Sequence, residues 1–247
     1  MTGGQLIVEC LVRQGVNVVF GIPGAHTISI YDALHRHPKI KHILVRHEQS
    51  ASLMADGYAR STGKPGVCCV TTGPGVTNAA TGLAVAHSDS IPVLLVSSNV
   101  HSETAPKWRG LFHAVDQLAL TKPITKWNAS IEHPTQIPQV IGSAFRILMN
   151  GRPGAGHVEV PLDILQQEFE FKDSMLEAKS VESDSEPRND SAEIRRAAQL
   201  LRTAKRPLVL AGGGVIAAEA WNELVEVCRA AAGARADGSD GKGRDSR

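Results

Sequence analysis

From residue 3 to about residue 165 the chain alternates helix-patterned with strand-patterned segments. Strands separated by helices cannot pair as hairpins. They need crossover connections, so the pattern predicts an α/β fold: a parallel sheet with helices on both faces. Residues 3 to 14 place Leu6, Ile7, Cys10 and Leu11 on one helical face, with Gly15 as a natural stop. Asn17 to Phe20 form a short apolar strand, broken by Gly21-Ile22-Pro23-Gly24, and a helical stretch follows through Leu34. Ile43 to Val45 is the next strand. Residues 49 to 61 read as a helix carrying Ala51, Met54, Ala55 and Tyr58 on a common face, closed by Gly63 and Pro65. Val67 to Thr72 and Ile91 to Ser97 are apolar almost throughout, as expected of strands covered on both faces. Between them, Gly73-Pro74-Gly75 opens a small-residue helix through about Ala86. A strand at Trp127 to Ile131, a helix from Pro134 to Met149 and a strand at His157 to Val160 complete the pattern.

The alternation sets the domain expectation at residues 1–165. Residues 166–190 are polar and acidic and read as a linker. Residues 191–232 read as the start of a second α/β domain: a helix at Ser191 to Leu201, a strand at Leu208 to Leu210, the Ala211-Gly212-Gly213-Gly214 turn, and a helix to about Ala232. One strand makes no sheet. Residues 233–247 contain no large apolar side chain and are expected to be disordered. A half-built domain with such a tail reads as a truncated product, from a frameshift or a misdrawn gene. The net charge of +1 gives no electrostatic reason to expect nucleic acid or an anionic membrane as a partner. Cys10, Cys68, Cys69 and Cys228 lie among apolar residues without zinc-ligand spacing, so they are expected to be reduced and buried, with no metal site. The N-terminus resembles neither a secretory signal nor a transit peptide, and no apolar run approaches the roughly 18 residues of a membrane span. Cytoplasm is the default expectation.

In an open parallel sheet, ligands bind beyond the carboxyl ends of the strands. That rule singles out Gly21 to Gly24, His47-Glu48, Thr72 to Gly75 and Ser97 to Asn99. Glu48 closes a strand and opens a helix between apolar neighbours. Partial desolvation there raises a carboxyl pKa and suits proton transfer. A glutamate that merely complements the helix dipole is the plainer alternative, and position alone favours it about two to one. Glycines at strand ends let backbone approach a flat ligand, yet each is by itself more often a tight turn. Neither a phosphate-binding loop nor a full dinucleotide fingerprint is present.

Taken together, six ordered motifs resemble the thiamine-diphosphate-dependent enzyme family. They are Val19-Phe20-Gly21-Ile22-Pro23-Gly24, Arg46-His47-Glu48-Gln49, Asp56-Gly57-Tyr58-Ala59-Arg60, Gly63-Lys64, Thr72-Gly73-Pro74-Gly75-Val76-Thr77-Asn78 and Asp89-Ser90-Ile91-Pro92-Val93. Gly151-Arg152-Pro153-Gly154 followed by Val158-Glu159-Val160-Pro161-Leu162-Asp163 is similar to the close of the family's N-terminal, pyrimidine-binding domain. Acetolactate (acetohydroxyacid) synthase is the member it most resembles.

The resemblance implies thiamine diphosphate as cofactor. It assigns Glu48 to N1′ of the aminopyrimidine, where the hydrogen bond favours the imino tautomer that takes the proton from thiazolium C2. The carbanion so formed attacks a 2-oxo acid, which loses CO₂. Gly21, Ile22, Pro23, Gly24, Thr72, Gly73, Pro74, Gly75 and Asn78 match loops lining the pyrimidine pocket. Phe112-His113 falls where the family places substrate-facing side chains. Acetolactate synthases usually carry Gln at the second position, so His113 leaves open another 2-oxo acid decarboxylase or an aldehyde lyase. His47 is expected to be structural. The family's diphosphate and Mg²⁺ sit on a separate domain bearing Gly-Asp-Gly, which this sequence lacks. The isolated chain is therefore expected to be silent. FAD, which some relatives bind through the central domain, is not indicated. A homodimer, or a non-catalytic module pairing with a full-length thiamine enzyme, is the implied assembly. The small residues Ala79, Ala80, Gly82, Ala84 and Ala86 suit close helix packing in a core or at an interface.

Overall fold

The computed structural model describes residues 1–104, 110–171 and 191–233. It divides into two compact units, Met1–Val181 and Glu182–Arg247. Within the first, the elements run α1 (Gly3–Arg13), β1 (Val18–Gly21), α2 (Ile28–Arg36), β2 (Lys41–Leu44), α3 (Glu48–Thr62), β3 (Gly66–Val70), α4 (Pro74–Ser88) and β4 (Val93–Asn99). After these come α5 (Gln117–Thr121), β5 (Trp127–Ser130), α6 (Ile137–Met149), β6 (Gly156–Pro161) and α7 (Leu162–Gln166). The six strands form one sheet in the order β2-β1-β3-β4-β6-β5, and every pairing is parallel.

Strand periodicity divides the core into two layers. Val67, Cys69, Leu94 and Val96 point to one side, where Leu6, Ile7 and Leu11 of α1, Ile30 and Leu34 of α2, and Ile137, Ile141 and Leu148 of α6 cover them. Cys68, Val70, Val93 and Leu95 point to the other, against Ala51 and Ala55 of α3 and Val76, Ala79 and Leu83 of α4. Helices thus cover both faces, as the alternation requires.

Local signals fix the helix ends. Thr2 caps α1 in a capping box with Gln5, and Gly15 turns the chain at φ +79°. Gly63 ends α3 in the left-handed conformation. The small residues of α4 settle a packing question: a Cβ on Gly82 would overlap Ser52 on α3, so α3 and α4 approach as closely as glycine permits. The first unit also reaches past its last strand, since Phe169 and Phe171 pack on the larger core layer and the Phe169 carbonyl accepts from the Met1 amino group at 3.0 Å.

In the second unit, α8 (Ser191–Thr203), α9 (Gly213–Ala217) and α10 (Trp221–Gly233) are described. The strand expected at Leu208 to Leu210 does not form. Leu208 and Leu210 are 93% and 94% exposed, because no other strand lies in the described part of this unit to complete a ladder. The single helix expected up to Ala232 is broken at Glu219, which sits at φ +51°. Most of the expected linker and nearly all of the expected tail, residues 172–190 and 234–247, lie outside the described residues. The cysteine expectation needs one correction. Cys10, Cys68 and Cys69 are buried, but Cys228 is exposed, since the face of α10 that bears it is uncovered.

Candidate active site

The strand order reverses direction at β1, with β2 on one side and β3 on the other, and in such sheets ligands bind beyond the carboxyl ends at this point. Three chain segments meet at this edge. The first is the loop after β1. Thr27 is fully buried and clasps Gly24 twice, accepting from its amide at 3.0 Å and donating to its carbonyl at 3.1 Å. The segment Gly21-Ile22-Pro23-Gly24 is thereby set before any ligand arrives. The second is the start of α3, where Glu48 is the first helical residue and half-buried. The third is Thr72–Asn78, which turns β3 into α4.

Side chains join these segments. Asn78 Nδ2 on the first turns of α4 donates to Glu48 Oε2 at 2.9 Å. Among the described residues, Glu48 Oε1 accepts no hydrogen bond. One carboxyl oxygen is held and the other is available. His47 works structurally: it is the N-cap of α3, its Nδ1 accepting from the Gln49 amide at 3.2 Å.

The glycines serve protein contacts. Tyr31 Oη donates to the Cys69 carbonyl at 2.7 Å directly over Gly21, and a Cβ on Gly21 would overlap both atoms. A Cβ on Gly24 would run into Thr71, and one on Gly73 into the His113 carbonyl. Gly73 also adopts φ +63°, ψ −100°, a conformation that L side chains rarely adopt. Close approach is required at these positions as expected, but the partner is backbone or a neighbouring loop. Through Gly73, His113 is drawn to the same edge. It sits at φ +64° with its ring stacked on Phe112 at 3.6 Å, while the His26 ring lies 6.4 Å away. Burial lowers the His26 pKa, and the neighbouring His113 and His101 lower it further.

Other sequence candidates turn inward. The Thr72 hydroxyl is fully buried and hydrogen-bonds Ser98 Oγ at 2.9 Å. Ser97 bonds His157 Nε2 at 2.8 Å, and Asn99 Oδ1 accepts from the Val100 amide. None of the three β4 side chains reaches a ligand surface. Asp56-Gly57-Tyr58-Ala59-Arg60 and Asp89 form a clasp, with Arg60 bridging Asp56 and Asp89, each at 2.7 Å. Two residues at the edge escaped the sequence reading. The buried Thr71 Oγ1 has no partner among the described residues, and the buried Gln117 accepts from the Gly73 amide at 3.1 Å. Neither lies in a motif whose spacing marks it. The described residues contain no cluster of side chains able to hold a metal ion, and no helix long and apolar enough to cross a membrane.

This parallel sheet, with a helix-opening glutamate at its switch point, is the architecture of a cofactor-binding α/β domain. Residues 1–120 match the thiamine pyrophosphate enzyme N-terminal TPP binding domain. The chain is 44% identical over 219 residues to a probable 2-ketoarginine decarboxylase of Pseudomonas aeruginosa, a match covering 88% of this chain and 38% of that protein. It is 41% identical over 226 residues to the acetolactate synthase isozyme 1 large subunit of Escherichia coli, covering 91% and 39%. With a probable acetolactate synthase large subunit of Methanococcus aeolicus it shares 39% identity over 229 residues, covering 92% and 38%. The chain thus spans less than two fifths of the length of the curated relatives it matches.

Proposed function

We propose that this chain binds the aminopyrimidine half of thiamine diphosphate and contributes it, with Glu48, to an acetolactate-synthase-like carboligase or decarboxylase acting on 2-oxo acids. The observation that carries the reading is the Asn78–Glu48 hydrogen bond, which holds one carboxyl oxygen and leaves the other for a ligand. The residues fit the cofactor in kind: a half-buried carboxyl for a ring nitrogen, an unpartnered buried hydroxyl on Thr71, and preset loops at Gly21–Gly24 and Thr72–Gly75. Thiamine diphosphate held here would supply thiazolium carbanion chemistry toward 2-oxo acids. Glu48 shares a proton at N1′ of the pyrimidine. Asn78 keeps its carboxyl from turning away, and the loop backbone after β1 and β3 shields the ring from water. His113 and Phe112 face the substrate.

A second reading, decarboxylation of another 2-oxo acid, is favoured by His113 in place of the usual Gln and by the 44% likeness to the 2-ketoarginine decarboxylase. Diphosphate and Mg²⁺ are left to a Gly-Asp-Gly domain outside these 247 residues, so the isolated chain is proposed to be silent. The partner that completes the site is a second copy or a longer thiamine enzyme, and it would cover the exposed Leu53, Met54 and Val85 of α3 and α4.

The test is a chimera in which residues 1–165 replace the matching part of the E. coli acetolactate synthase large subunit. The expected result is acetolactate formation from pyruvate, lowered about 10²–10⁴-fold by Glu48→Gln. A chimera as active with Glu48→Gln as without it refutes the role of Glu48. Turnover of another 2-oxo acid in place of pyruvate selects the second reading.

A further inference from the structure

A buried polar network lies directly under the Thr72–Gly73 turn, and Gln117 is its centre. Gln117 is fully buried at the first position of α5. Its Oε1 accepts from the Gly73 amide at 3.1 Å, and its Nε2 donates to the Ser98 carbonyl at 3.0 Å and to Glu159 Oε2 at 2.9 Å. The amide orientation is forced. A backbone N–H can only donate and a backbone carbonyl can only accept, so a flipped Gln117 would face both with the wrong atom. Three of the four hydrogen bonds the side chain can make are used, to the turn after β3, to β4 and to β6. The Thr72 hydroxyl reaches the same network through Ser98 Oγ.

The network lacks any evident role in stability alone. A buried carboxyl is costly to desolvate, and Glu159 is only 4% exposed. Its pKa is raised by burial and opposed by hydrogen bonds from Asn99, Gln117 and Ser130. Apolar residues of similar volume would fill this space at no such cost. What they could not do is hold the Gly73 amide. Gly73 has φ +63° and ψ −100°, and its Cα faces the His113 carbonyl. Its N–H is directed inward to Gln117, so the turn is braced from below while α4 and Asn78 start immediately after it.

We propose that Gln117, held in turn by Glu159, is a positioning residue that fixes the Gly73 turn and thereby the start of the helix presenting Asn78 to Glu48. The bracing stands on its own geometry; its importance for the cofactor rests on the reading of the site given above.

The experiment uses the full 247-residue chain and measures amide hydrogen exchange by NMR for wild type, Gln117→Met and Glu159→Gln. Gln117→Met keeps the volume and removes every hydrogen bond. Exchange at Gly73 is expected to quicken about tenfold or more, with Leu95 and Val96 in β4 unchanged. Glu159→Gln retains an acceptor oxygen for Gln117 Nε2 and is expected to leave Gly73 as in wild type. A uniform quickening across the sheet, or none at Gly73, overturns the proposal. Should Gln117→Met fail to fold, the scalar coupling across the hydrogen bond from Gly73 N to Gln117 Cδ in wild type decides: its detection supports the brace and its absence refutes it. Thiamine diphosphate with Mg²⁺ is then added to wild type. Selective loss of protection in the variant together with no response of Gly73 or Asn78 to the cofactor upholds the brace and sinks the cofactor reading.

Discussion

Acid should weaken this fold through His157. The ring is fully buried between β4, β5 and α5. Its tautomer follows from counting hydrogens. The Thr121 hydroxyl donates its one proton to the Gln117 carbonyl at 2.9 Å and accepts from Asn128 Nδ2 at 3.0 Å. Its 2.9 Å contact with His157 Nδ1 must therefore be donated by the ring, and Ser97 donates to Nε2 at 2.8 Å. A second ring proton would force the Ser97 hydroxyl to turn from donor to acceptor, and burial pushes the pKa down to about 3 from 6.5. A group whose folded pKa is depressed lets the unfolded state take up the proton first, so stability present above pH 6.5 is lost as pH falls toward 3. At about 1.4 kcal/mol per pH unit, the loss between pH 7.5 and 4.5 is about 2.5 kcal/mol. Glu159 has the opposite sign: its raised pKa favours the folded state at low pH, and that contribution fades as pH rises. Urea unfolding of wild type and His157→Gln at several pH values isolates the histidine, because both proteins keep Glu159. Wild type should lose about 2.5 kcal/mol more than the variant over this range. Parallel curves would show that the buried ring does not govern acid stability.

Substituting Gly73 by Ala should cost about 2–5 kcal/mol, from backbone strain and the clash with the His113 carbonyl, read as a shift in urea midpoint. Gly63→Ala is the control: it has a positive φ but open space, and should cost only about 1–2 kcal/mol. Equal losses at the two positions would remove the clash from the account. With an aromatic disulfide reagent, Cys228 should react rapidly in the native chain, while Cys10, Cys68 and Cys69 wait for denaturant, since burial raises their pKa values, to about 12 for Cys10 and Cys69. Rapid labelling of more than one thiol would contradict the packing of β3 and α1.

The sheet was legible in the sequence because runs such as Val67–Val70 and Val93–Val96 are apolar on both faces, which only a doubly covered strand tolerates. Glu48 stood out differently, as a charge just beyond the short Ile43–Val45 run, although that strand, β2, lies at the sheet edge and is largely exposed. The Leu208–Leu210 segment has the same local appearance and failed, because a strand is a property of its neighbours as well as of its residues. The glycines were legible as positions of close approach, but not what approaches them: Tyr31, Thr71 and His113 reach Gly21, Gly24 and Gly73 from 10, 47 and 40 residues away in sequence. Gln117 escaped notice, and so did its pairing with Glu159, because buried polar partners follow no period. Their meaning appears only when three strand ends converge.

In the proposed function Glu48, held by Asn78, faces the aminopyrimidine. The most direct measurement is a titration of the ¹⁵N-labelled chain with thiamine diphosphate and Mg²⁺, followed by amide shifts in wild type and Glu48→Gln. Shifts confined to Gly24, Glu48, Gly73 and Asn78, greatly weakened by Glu48→Gln, are expected. Shifts centred elsewhere, or shifts at this edge that are unchanged in Glu48→Gln, would contradict that placement.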